Sequence, residues 1–280
     1  MKQRLLVAAV GVPLLILVLA FLPPVATALL VCAIAGAAAY ELVHTACKAP
    51  CTTTYALTAL MSVLTVLYAG NGLGLYREDL QTAKMVYLIC AFLYVMALFF
   101  LAVRRYGTQC ALPFGDIAVC IVAGFVFPAM YGCVCLLRNA SPVFVLMPFV
   151  VAFIGDSFSM LGGMAFGKRK FAPHVSPNKT WAGFIAGPVG SALGMVLLGL
   201  VARWAWRMVL PLWYLALIGI VANVFGQLGD LSMSLIKREA GIKDYSHIFL
   251  THGGVLDRFD STMFISPVIW VMLLWMEAIL

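Results

Sequence analysis

Long apolar runs broken by short polar stretches constrain this chain more than any other feature. Nine segments, 5–22, 25–44, 53–70, 84–103, 115–137, 143–166, 181–202, 211–236 and 262–280, are apolar over about the length needed to cross a bilayer. A helix needs roughly 20 such residues to span ~30 Å of hydrocarbon. Hydrophobic residues make up 64% of the 280 and charged residues 10%, against about 25% charged in soluble chains. The expected fold is therefore all-α: a polytopic membrane protein of about nine transmembrane helices. The runs leave no room for a separate soluble domain. Residues 1–140 read as N-terminal transmembrane helices and 141–280 as a region that also carries the unusual polar residues.

Lys2 and Arg4 precede the first run, which is too long for a signal-peptide core and lacks a convincing cleavage site, so it reads as a retained signal anchor. Of the 18 Lys and Arg residues, five (Arg77, Lys84, Arg138, Arg203 and Arg207) fall on one side of the predicted spans and the other thirteen on the opposite side. The positive-inside rule then sets the N-terminus in the cytoplasm and the C-terminus outside. Both long inner loops, 167–180 and 237–261, hold most of the motif residues, so the functional face is expected to be cytoplasmic. Net charge is +7 without a long basic tract, which suits anionic lipid or phosphorylated ligands and not nucleic acid. The eight cysteines lie mostly within apolar runs, and Cys133 and Cys135 have no nearby His, so they read as packing residues.

Carboxylates inside a span cost roughly 2.5–3.5 kcal/mol on insertion scales, which makes them informative. Asp116 stands near a helix start, where it can cap. Asn223, Gln227, Asp230, Ser234 and Lys237 recur at steps of four, three, four and three, so they share one helical stripe. Such a stripe can glue helices together or line a wet cavity that accepts anions. Asp156 sits in another apolar run, followed by Gly162, Gly163, Gly167 and Lys168-Arg169-Lys170. Ser176-Pro177 is expected to be extended, with Asn178 to Thr180 leading into the next helix. That helix start offers hydroxyls, an ammonium and free N–H groups to a phosphate, or an ordinary N-cap. In LTHGGVLDRFDS, 250–261, Asp257 and Asp260 share a face if helical. His252-Gly253-Gly254 lets backbone approach a ligand closely, and Arg258 can fork onto phosphate oxygens. Hard carboxylates suit Mg²⁺, usually one or two of them with substrate oxygens completing the shell.

Together these residues resemble the phosphatidate cytidylyltransferases, also called CDP-diacylglycerol synthases. The resemblance runs through SLIKREAGIKDYSHIFLTHGGVLDRFDS, 234–261, with its Lys-Arg pair, Lys-Asp, HGG and D-R-x-D. It also takes in FIGDS, FGK at 166–168, SPNKTW at 176–181 and GQLGDL at 226–231. It covers roughly residues 150–262. Ala182 and Met233 stand where the family usually carries Glu, and LTHGG replaces PGHGG.

The resemblance implies transfer of a cytidylyl group from CTP to phosphatidic acid; the compactness of the chain suggests a prokaryotic plasma membrane as its location. It implies Mg²⁺ at Asp230 and Asp257, with Asp260 in the same or a second site, and leaves room for a monovalent cation. Lys237 and Arg238 join the two aspartates as catalytic residues. Ser176, Lys179, Thr180, Lys168, Ser234, Lys243, Asp244, His252, Gly253, Gly254 and Arg258 are the expected substrate contacts. Asp156, Asn223 and Gln227 are the expected cavity lining. The implied partners are CTP, phosphatidic acid and membrane lipids, with a homodimer as the candidate assembly. Three readings compete: a CTP-dependent transferase acting on another lipid phosphate, a weakened relative, and an ion-coupled transporter. The absence of an internal repeat counts against the last.

Overall fold

The structure is a computed structural model that describes residues 11, 13–71, 77–246, 248 and 253–279. Among the described residues eight helices are long and apolar enough to cross a membrane, and the chain is a multi-pass membrane protein. Residues 5–10 and 12 of the first predicted run, 5–22, lie outside the described residues; its end forms a short π-helical turn, Leu17–Phe21. Two compact units share the chain: 1–139 with 239–258, and 140–238 with 259–280.

The first unit holds α1 (Pro24–Ala46), α2 (Thr52–Ala69), α3 (Arg77–Arg104) and α4 (Phe114–Ala140, whose last residue passes into the second unit). Pro24 opens α1, where its missing N–H costs nothing. In α4, Pro128 has no N–H to offer the carbonyl of Gly124, and a π-turn, Val122–Val126, precedes it. The Thr65 hydroxyl donates to that carbonyl at 2.7 Å, so α2 supplies the bond that proline withholds. Asp116 does not cap its own helix as expected. Its carboxylate accepts the Lys48 backbone N–H at 3.0 Å and so ties down the α1–α2 connection.

The second unit holds α5 (Phe144–Phe166), a hairpin of β1 (Lys170–Ala172) and β2 (Ser176–Thr180), α6 (Trp181–Ala205), α7 (Leu212–Glu239) and most of α8 (Leu256–Ile279). The predicted loop 167–180 is thus an antiparallel ribbon, with Lys170 opposite Thr180 and Ala172 opposite Ser176. Aromatic packing holds it: Phe171 stacks on Phe184 at 4.5 Å and meets Trp181 edge-on at 4.7 Å. The last helix starts at Leu256 and not at 262, so D-R-x-D is its first turn and not part of a loop.

Small residues let the helices of this unit meet at backbone distance. A Cβ on Gly162 would lie 2.4 Å from the Ala186 methyl, and one on Gly219 would lie 2.6 Å from the Ser191 carbonyl oxygen. On α7, a Cβ on Gly226 would stand 2.6 Å from Ile265, and one on Gly229 would stand 2.5 Å from Phe264. That approach sets the Gly226–Gly229 stretch of α7 against Phe264 and Ile265 of α8.

Candidate functional site

Within the second unit, the polar stripe of α7 divides in two. Asn223 and Gln227 are buried and bond to neighbouring helices. The Gln227 amide donates to Asn223 Oδ1 at 2.7 Å and to the Phe184 carbonyl at 3.1 Å. Phe184 lies four residues before Pro188, so that carbonyl has no helical N–H to accept. Asn223 donates to the Val151 carbonyl, which also takes the Ser191 hydroxyl at 2.9 Å. These amides bind α5, α6 and α7 together.

The C-terminal half of the stripe carries the charge. Asp230 is half-buried and ion-paired with Lys179 of β2. Ser234 and Lys237 are buried, at 8% and 9% exposure, in a region where a lysine rarely sits without an anion. Asp260 is also buried; one carboxylate oxygen accepts the Ser261 N–H at 2.6 Å. Asp156 of α5, Asp230 and Asp260 lie near enough to repel one another, with Lys179 and Lys237 as the cations that offset them. Among the described residues no group of three or more His, Cys, Asp or Glu side chains is gathered closely enough to hold a metal ion; the carboxylates here are hard oxygen donors, of which Mg²⁺ usually takes only one or two. Ser159, one turn after Asp156, has a buried hydroxyl with no hydrogen-bond partner.

Thr180 caps α6: its hydroxyl accepts the Gly183 N–H at 3.2 Å, which leaves its own O–H to donate. Ser176 is half-buried at the start of β2, and Lys168 is exposed after α5. Arg238 is exposed and its Nε donates to the Val175 carbonyl at 3.2 Å, joining the end of α7 to the hairpin turn.

The first unit holds the other motif residues. Lys243 and Asp244 are exposed in the segment after α7, and Arg258 is exposed on the first turn of α8. His252 lies outside the described residues. Asp257 accepts two backbone N–H groups on Oδ2, from Tyr245 at 2.8 Å and Gly254 at 2.9 Å. Gly253 has φ of +80°, and a Cβ there would lie 2.8 Å from Asp257 Oδ2, so this turn admits only glycine.

A residue not singled out in the sequence completes the turn. Glu41 of α1 has no exposed surface, and accepts the Val255 N–H at 2.9 Å, the Leu256 N–H at 2.8 Å and the Ser246 hydroxyl. A Cβ on Gly254 would fall 2.4 Å from Glu41 Oε1. The two adjacent glycines therefore serve two carboxylates, Gly253 for Asp257 and Gly254 for Glu41. The signal was legible: Glu41 is the acidic residue of run 25–44, where a charge is costly.

Comparison with known proteins points to one family. A family model described as the cytidylyltransferase family matches residues 2–276. Among curated relatives, the phosphatidate cytidylyltransferase of Staphylococcus haemolyticus is 36% identical over 167 residues, covering 58% of this chain and 61% of the relative. That of Bacillus subtilis is 43% identical over 124 residues, 44% of this chain and 45% of the relative. That of Rickettsia prowazekii is 37% identical over 134 residues, 47% of this chain and 59% of the relative. The chain thus spans about half to three fifths of the length of the curated relatives it matches. With the whole-length family match and the acidic and basic residues gathered on α7, β2 and α8, the chain belongs to the cytidylyltransferase family.

Proposed function

We propose that the chain is a phosphatidate cytidylyltransferase, which transfers the cytidylyl group of CTP to phosphatidic acid. A phosphate oxygen of the lipid attacks the α-phosphorus of CTP. The bond from that phosphorus to the bridging oxygen breaks, CDP-diacylglycerol forms and pyrophosphate leaves. The attacking phosphate is already anionic at neutral pH, so the reaction asks little of a base. Its difficulty is the approach of two polyanions, which calls for positive charge and in-line positioning.

The observation that carries this reading is the mixed cluster in the second unit. Asp156, Asp230 and Asp260 crowd together beside Lys179 and the buried Lys237. Lys179 and Lys237 would bind phosphate oxygens, with Arg238 and Lys168 as further cations of the same unit; Arg258 and Lys243 are phosphate contacts on the family resemblance alone. The Lys179–Asp230 ion pair opens when substrate arrives, which frees the ammonium for phosphate and the carboxylate for a cation. On the family resemblance, and not on their placement, Asp230 and Asp257 are the residues that would hold Mg²⁺, with Asp260 in the same or a second site. Bound there, Mg²⁺ would neutralise phosphate charge and polarise the α-phosphorus. The acyl chains need not leave the bilayer, since Lys179, Lys237 and Asp260 stand at helix ends, on the side that the charge distribution assigns to the cytoplasm.

The test is pyrophosphate release by the purified protein given CTP, MgCl₂ and phosphatidic acid in mixed micelles. CDP-diacylglycerol should accumulate in equal amount. A protein that is folded and inserted yet releases no pyrophosphate would sink the reading. A second assay replaces phosphatidic acid with an isoprenoid phosphate; preferential turnover of that acceptor would move the assignment to a related lipid phosphate.

A further inference from the structure

Glu41 is a fully buried carboxylate near the C-terminal end of an apolar helix, and its hydrogen-bond partners among the described residues are all donors from the segment 246–256. Val255 and Leu256 lie where α8 begins, so two of those donors are N–H groups at a helix start, which an anion satisfies well. The cradle fits a carboxylate, which accepts through both oxygens, and not an amide, which would turn an N–H₂ towards one of the donors.

The contact continues to Asp257. Glu41 presses on Gly254, whose N–H is one of the two that hold Asp257 Oδ2. We infer that Glu41 is a positioning residue: from α1 it fixes the Gly253–Asp257 turn and thereby sets where the Asp257 carboxylate stands for a divalent cation. Glu41 itself touches neither substrate nor metal. The functional half of the inference rests on the proposed role of Asp257 in cytidylyl transfer; the fixing of the turn does not.

Two readouts on the full-length protein separate these parts. The first is hydrogen–deuterium exchange at 253–257 without substrate. The second is the Mg²⁺ concentration that gives half-maximal pyrophosphate release from CTP and phosphatidic acid. Glu41→Gln should speed exchange at those amides and raise the half-saturating Mg²⁺ about 10-fold or more, as loss of an outer support to a metal ligand does. It should change kcat at saturating Mg²⁺ less. Asp116→Ala serves as the comparison, because it cuts a loop tie in the same unit at Lys48 and leaves the turn alone. It should lower thermal stability with Mg²⁺ half-saturation unchanged.

If Glu41→Gln does not fold, Ser246→Ala removes one donor from the cradle and should move both readouts in the same direction by a smaller factor. Wild-type exchange at 253–257 in a folded variant overturns the positioning role. Faster exchange with unchanged Mg²⁺ half-saturation overturns the link to the cation. If the wild-type protein releases no pyrophosphate at any Mg²⁺ concentration, the cytidylyltransferase reading fails, and the exchange result alone decides the role of Glu41.

Discussion

Pro188 has no N–H for the Phe184 carbonyl, and Gln227 supplies one from the next helix at 3.1 Å. The pairing predicts a recoverable loss. Gln227→Leu leaves a buried carbonyl unsatisfied and should cost about 1–3 kcal/mol. Adding Pro188→Ala restores the helical donor, so the double variant should regain a good part of that loss in a detergent unfolding titration. Additive losses would mean that the two residues act separately. Thr65 and the Gly124 carbonyl before Pro128 repeat the device in the first unit. At Cys51, just before α2, burial pushes the thiol up, but hydrogen bonds from Thr54 and the charge of Arg105 outweigh it and hold it at about 7. The thiolate is therefore present at lower pH than for an ordinary cysteine. Alkylation of Cys51 should reach half its maximal rate near pH 7, and Arg105→Gln should move that midpoint upward.

At the scale of elements, much was legible in the sequence. Seven later runs and the last one reappear as α1 to α8, because hydrocarbon demands continuous apolar helices and the chain obeys. The steps of the α7 stripe placed Asn223, Gln227, Ser234 and Lys237 on its buried face. Which of them glue and which carry charge was not legible, since that depends on a proline in a different helix. The hairpin at 170–180 was read as a loop because its hold comes from Phe171 packing on α6 and not from strand periodicity. The early start of α8 was missed for a similar reason: part of its support comes from Glu41, more than two hundred residues earlier in the chain. The close meeting of α7 and α8 is a further prediction at this scale. Gly229→Val should force the helices apart against Phe264 and cost about 1–3 kcal/mol. Because Asp230 is the next residue, cytidylyl transfer should fall by more than the stability loss alone would produce.

For the whole molecule, the proposed chemistry depends on carboxylates and cations drawn from distant parts of the chain. Asp257→Asn should abolish CDP-diacylglycerol formation while membrane insertion and thermal unfolding stay near wild type, because the amide keeps an oxygen for at least one of the two N–H groups. Near-normal turnover in that variant would remove Asp257 from the metal site. Met233, where relatives usually carry Glu, is 1% exposed. Met233→Glu therefore buries a charge and should lower stability; a large gain in turnover despite that would mark the natural protein as a weakened relative.

The segment 239–258 belongs with the N-terminal unit although three helices, α5 to α7, are synthesised between the two. Until it arrives, α1 holds an acidic side chain in the bilayer with none of its eventual donors yet synthesised. A gene split at residue 139 would strand that side chain for good, so the two halves should be poor candidates for separate expression. Co-expressing the C-terminal fragment should rescue the N-terminal one from degradation, and rescue should be lost when 246–256 is deleted from the added fragment.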